Sequence, residues 1–142
     1  GKTVSILADG AVCPQQVVKD GAITLEQPAK VVTVGLPYSS DAQTLPVYID
    51  ADSARGMGMQ KNIERAALRV YSSSGIMAGP TFDELTEHKQ RTTEQPGSAP
   101  KLVTGEIVLQ LYTAWSESGQ ICIRQKDPLP LTIQSLSLSV SV

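Results

Sequence analysis

Glu84, Glu87 and His88 stand at i, i+3 and i+4, a spacing that puts three ligating side chains on one face of a helix and that metal sites use. His88 is the single histidine, however, and zinc sites draw further nitrogen or sulfur ligands, so a wet helix face accounts for the same residues. Asp50-Ala51-Asp52 opens like a calcium loop. Its fifth position is Ala54, its glycine falls at Gly56 and no glutamate closes it, which leaves a solvated loop. Cys13 and Cys122 are too few to hold zinc alone; two separate half-buried thiols in a reducing compartment are expected, with one disulfide as the other option.

Nucleophile chemistry has no better footing. Gly-x-Ser-x-Gly is absent, and the serines at 72–74 and 135–141 fall in turn and strand patterns. Gly56-Met57-Gly58 lacks both the third glycine of a dinucleotide turn and the Gly-Lys-Ser/Thr of a nucleotide loop. The expectation is no catalytic residue, no metal and no cofactor. A hydrolase on this chain would need an acidic pair that only the fold brings together.

Arg55, Lys61, Arg65 and Arg69 form the one local excess of positive charge. On a strand Lys61, Arg65 and Arg69 face the same way, either as a solvated sheet face, as an interprotomer contact or as a weak wall for passing phosphates. Over the whole chain 12 Lys and Arg stand against 14 Asp and Glu, a net charge of -2, which argues against a dedicated nucleic-acid surface. Trp115, beside Tyr112 at a hairpin end, is expected to be partly buried in the core, with a stacking role as the other option.

The elements that position these residues read as strands. Val4 and Ile6 alternate over 3–8, and Asp9-Gly10 supplies a hairpin turn into 11–18, an arm that Pro14 confines to an edge or a bulge. Lys19-Asp20-Gly21 is a second such turn, before the alternating 22–25 and a strand over 30–35. Gly35 and Pro37 then stop the ladder and present Leu36 and Tyr38 at a corner. The segment 61–72 fits a helix stripe through Ile63, Ala66, Ala67 and Val70 and a strand face through Ala66, Leu68 and Val70; the strand is preferred because Arg65 and Arg69 alternate with apolar residues.

Residues 76–100 read as a long polar connection that projects from the body. A short helix from Phe82 to about Lys89 starts on the capping box Thr81/Glu84. Strands over 106–114 and 120–125, joined at Glu117-Ser118-Gly119, make a further hairpin. The final segment, 131–142, alternates Leu136, Leu138, Val140 and Val142 with serine. A strand with no charge must be paired on both sides or covered, so this end is a candidate junction with a neighbour.

At 142 residues the chain is expected to form one domain, burying roughly two-thirds of its unfolded surface. The fold expected is all-β, an antiparallel sandwich or barrel with one long loop excursion and at most a short helix. No apolar run approaches the roughly 18 residues of a membrane span and no signal peptide opens the chain. Its start at Gly1 without methionine and its end on a bare strand at Val142 read as a portion of a longer protein.

Val34-Gly-Leu-Pro-Tyr-Ser followed by Gln43-Thr-Leu-Pro resembles a signature of the tail tubular or nozzle proteins of short-tailed bacteriophages. Gly1-Lys-Thr-Val-Ser-Ile-Leu-Ala-Asp-Gly, Leu68-Arg-Val-Tyr and Lys101-Leu-Val-Thr-Gly agree with the same family in the same order, so the resemblance covers most of the chain. It implies a non-catalytic structural protein of a phage or prophage tail, made in the bacterial cytoplasm and carried in the virion. Its copies would form a ring that extends the DNA channel, with other tail or adaptor proteins as partners and passing contact with phage DNA. Leu36, Tyr38, Arg65, Arg69, Leu136, Leu138, Val140 and Val142 are then the candidate interface residues. The alternative is a host-glycan-binding β-sandwich of a tail appendage or surface protein, with Trp115, Tyr112 and Tyr38 as stacking candidates.

Overall fold

The computed structural model describes residues 1–48, 58–90, 97–111 and 113–142. Within them the protein is all-β, with ten strands, only antiparallel pairs, no helix and no closed barrel. The first sheet takes β1 (Thr3–Ala8), β2 (Ala11–Val17) and β3 (Val32–Gly35) in the order β2-β1-β3. Asp9 and Gly10 both have positive φ, 48° and 82°, the geometry a two-residue hairpin demands. Pro14 sits on the outer strand, where the register slips by one residue, so it is at both an edge and a bulge.

Two further sheets share one apolar core as the layers of a sandwich. One is ordered β10-β5-β8, from β5 (Asn62–Ser73), β8 (Val103–Gln110) and β10 (Ile133–Ser141). The other is β4-β9-β6-β7, from β4 (Ser40–Gln43), β6 (Met77–Gly79), β7 (Thr86–Glu87) and β9 (Cys122–Gln125). Ile63, Leu68 and Val70 of β5 and Ile107 and Leu109 of β8 meet Ile76, Ala78, Ile121 and Ile123 from the facing layer. Each large side chain so buried stabilises the fold by about 1.5–3 kcal/mol.

Several expectations are corrected. Residues 22–25 form no ladder strand: Lys19 and Ala22 exchange a pair of hydrogen bonds, and Thr24 is held instead by the Gln16 side chain, which donates to its carbonyl at 2.8 Å and accepts from its amide at 3.3 Å. The expected hairpin of 106–114 with 120–125 is absent too. β8 pairs with β5 and β9 with β4 and β6, so the chain crosses from one layer to the other between them.

The connection 76–100 does not simply project. Ile76 and Ala78 are core residues, and β6 turns back through residues 80–85 to pair with β7, Met77 opposite Glu87. The helix expected over 82–89 is replaced by this hairpin, and Thr81/Glu84 make a turn in which the Glu84 amide donates to the Thr81 carbonyl at 3.3 Å. Gly79 explains the difference. A side chain there would overlap the Glu84 carbonyl oxygen, so only glycine lets the loop close onto β6. At the far end of the connection, Ala99 lies against the Asp9-Gly10 turn.

Candidate interaction edge

β10 pairs with β5 along one side and with no described strand along the other. Its alternation is set by the core: Leu136, Leu138 and Val140 pack against the apolar cluster, while Ser135, Ser137 and Ser139 face outward. Ser135 and Ser139 stand opposite Arg69 and Arg65, so the serines and both arginines share the outer face. Both arginines are exposed, and neither makes an ion pair with a described residue. Val142 follows the strand and is 59% exposed.

Leu36 and Tyr38 stand apart from this strand in the fold. They lie beyond β3, exposed to 61% and 79%, and line a cleft of about 240 Å³ with Ser5, Lys126, Asp127 and Pro128. The structure thus brings six of the eight candidates onto or next to the β10-β5 pair, and leaves Leu36 and Tyr38 at the end of the first sheet.

The expected basic face is dismantled. Lys61 is 2% exposed, with Nζ donating to the carbonyls of Glu117 at 2.8 Å and Met59 at 3.1 Å. Its stem packs under Gly119. The cause is a β-bulge: Ser139 pairs with Arg65 and Val140 with Ile63, so Glu64 is an extra residue and everything before it changes face. Arg55 lies outside the described residues.

The metal candidates do not assemble. Without a helix, Glu84 sits in a loop and Glu87 on a strand, and no group of three His, Cys, Asp or Glu among the described residues can hold an ion. Partial burial lowers the pKa of His88. The Asp50–Gly56 loop and Tyr112 lie outside the described residues. Cys13 and Cys122 are both free thiols; Cys122 is buried and that burial raises its pKa. Trp115 is 52% exposed and takes no part in the apolar core cluster, contrary to the expected partial core burial.

Two polar arrangements hold the framework behind these surfaces. Arg124 donates from Nε and Nη2 to the two Asp41 oxygens, both at 2.7 Å, across the β4–β9 pair, and its guanidinium lies 4.9 Å from the Phe82 ring centroid. Arg124 holds the Asp41 carboxyl below its ordinary pKa. Gln125, buried, donates to the carbonyls of Leu129 at 2.8 Å and Ser74 at 2.9 Å. No sequence signal marks Lys61 or Gln125, since nothing in local periodicity tells a buried polar residue from a wet one. The pairing of Asp41 with Arg124, 83 positions apart, needs the sheet order.

No helix among the described residues is long and apolar enough to cross a membrane. No protein-family model matches the chain, and no curated protein matches it.

Proposed function

We propose that this chain is a structural part of a bacteriophage tail whose work is to join subunits around a DNA conduit. The observation that carries this reading is the β10 edge: from Ser135 to Ser141 it has no charge, no proline and no glycine, and on its outer side it pairs with no described strand. A strand edge is a row of unpaired amides and carbonyls, and soluble proteins guard such rows with charge, proline or bulges. Here the one bulge on β10 lies at its start, between Ile133 and Ser135; from Ser135 onward no such guard stands on the edge, and the outer face offers two exposed arginines, a residue type enriched at interfaces. Together with the tail-family resemblance over most of the chain, this supports a non-catalytic assembly role, with other copies and other tail or adaptor proteins as partners. The phage DNA would pass by without a dedicated site.

Gold labelling of induced phage particles with an antibody to this domain tests the reading. Label at the tail below the capsid is expected; tails that stay unlabelled after the epitopes are exposed by mild denaturation would overturn it. One observation favours a second reading, glycan binding: Trp115 and Tyr38 are both exposed, and an exposed indole offers a flat face to a sugar. Binding to a glycan array that is lost in Trp115→Ala would select it.

A further inference from the structure

β10 is not the only unguarded edge. Among the described strands the outer ones are β2, β3, β4, β7, β8 and β10. β2 carries Pro14 and a bulge. β4 carries Asp41 in its ion pair with Arg124, and β7 is two residues long and ends in Glu87. β8 has Glu106 beside Gly105, whose φ of 137° interrupts regular strand geometry. β3 comes nearest to β10: ahead of the Gly35 and Pro37 that end it, Val31 to Val34 carries no charge and no proline, and Val31, Val32 and Val34 are all exposed.

We infer that the open edge of β10 in one copy is closed by β3 of a second copy, head to tail, an inference that rests on the assembly reading above. Three features fit the two edges to each other. A strand laid beside β10 needs apolar residues at alternate positions to continue the row Leu136, Leu138, Val140, and a polar residue between them to continue the serine face. Val32-Thr33-Val34 has that order. Neither edge brings a charge, so no like-charge pair opposes contact and none is desolvated. Finally, one heterologous contact covers both unguarded edges of every copy at once. Two-fold pairing of β10 with its own counterpart closes at a dimer and leaves the β3 valines in water.

The contact fixes which side chains meet. With Val32 and Val34 beside the leucines, Thr33 lies on the serine face. The test uses two variants in a Cys13→Ser background, so that no half-exposed native thiol competes. One carries Thr33→Cys and a size tag; the other carries a cysteine at Ser135, Ser137 or Ser139. All four positions are exposed, so folding is kept. Mixing and mild oxidation are expected to give a disulfide-linked heterodimer with at least one of the serine positions and none with Leu138→Cys, which lies on the opposite face.

If Ser137→Cys alone links to itself as well as or better than to Thr33→Cys, β10 pairs two-fold and the inference is overturned while assembly stands. If the chain associates by light scattering but no mixture cross-links, β3 is not the partner. A chain that stays monomeric at every concentration, with no cross-link, removes the assembly reading and this inference together.

Discussion

Lys61 and Arg65, four residues apart on one stretch of chain, lie on opposite faces of their sheet, Lys61 2% exposed and Arg65 in water. In an unbroken strand residues at that spacing share a face. The extra residue Glu64 breaks the parity, so Lys61 and Ile63 turn inward with Ala66, Leu68 and Val70. The ammonium is then satisfied by two backbone carbonyls, which ties the start of β5 to the Ser116–Gly119 crossing between the layers.

Lys61→Ala removes the buried stem and both charge-assisted hydrogen bonds, and should cost about 2–4 kcal/mol in urea unfolding. Lys61→Met keeps most of the volume and should lose only about 1–2 kcal/mol, left by two unpartnered carbonyls. Equal stabilities for wild type and Lys61→Ala would mean that the ammonium is not held inside.

The bulge makes a sharper claim. Deleting Glu64 leaves Ile63-Arg65-Ala66, a regular alternation that keeps every apolar residue on the inner face. Its cost should stay below about 2 kcal/mol, within the ordinary range for single changes. Deleting Ala67 instead moves Ile63 and Ala66 to the wet face. The exposed Ile63 alone forfeits about 1.5–3 kcal/mol, and the flipped ladder adds to that. Thermal melts of the two deletions should differ widely; similar melting temperatures would sink the register assignment.

The same bulge shows where the sequence was legible. Turns with a local cause were: Asp9-Gly10 and Asp20-Gly21 both take positive φ because aspartate and glycine tolerate it. So was β10, whose strict period of two survives as a leucine face and a serine face. The helix-like spacing of Ile63, Ala66, Ala67 and Val70 arises because a bulge inserts one residue into a strand, a three-residue step that imitates a helix turn. What local pattern could not give is partner choice. β8 and β9 each read as half a hairpin, yet they sit in different layers, and the burial of Ile121, Cys122 and Ile123 in a row reflects a strand covered on both faces. The capping box at Thr81 was a true local preference overruled by the close approach at Gly79. Around β10, the alternation of leucine and serine was legible and the loss of Lys61 from the arginine face was not.

Gly79→Ala should be the most damaging glycine substitution among those at negative φ, since its methyl would overlap the Glu84 carbonyl. The loop over residues 80–85 must move, and a loss of about 1–3 kcal/mol or more is expected, as for other overpacked sites. Gly35→Ala, with open space around it, is the control and should melt like wild type. Equal behaviour of the two would show that the β6–β7 loop does not close on Gly79.

Asp9 accepts from the backbone amides of Lys30 at 3.0 Å and Val31 at 2.8 Å, and these bonds lower its pKa, the Lys30 bond most. A depressed folded pKa means that the carboxylate's contribution is whole above the unfolded value of about 4 and is lost as pH falls through the folded one. Asp9→Asn keeps a residue that tolerates the positive φ but removes the charge. Its stability deficit should therefore be constant from neutral pH down to about 5 and shrink below about 4. A deficit independent of pH to the lowest value measured would mean that the tie of the first turn to β3 is not ionic.

On β10 assembly and folding respond to different substitutions. Ser137 is exposed, lies opposite Ala67 and bonds to nothing that a longer side chain would break, so Ser137→Lys should leave the monomer's unfolding within about 0.5 kcal/mol of wild type. The same lysine places a hydrated charge at the middle of the free edge, the device by which natural sheets keep neighbours away. Wild type is expected to grow in size with concentration in light scattering, and Ser137→Lys to remain at its smallest size throughout. Ser137→Thr, which keeps the hydroxyl and adds a β-branched methyl suited to a strand, should associate at least as well as wild type. Association undiminished by the lysine would move the contact off β10, since no edge pairing tolerates an unmatched ammonium at its centre without a measurable loss.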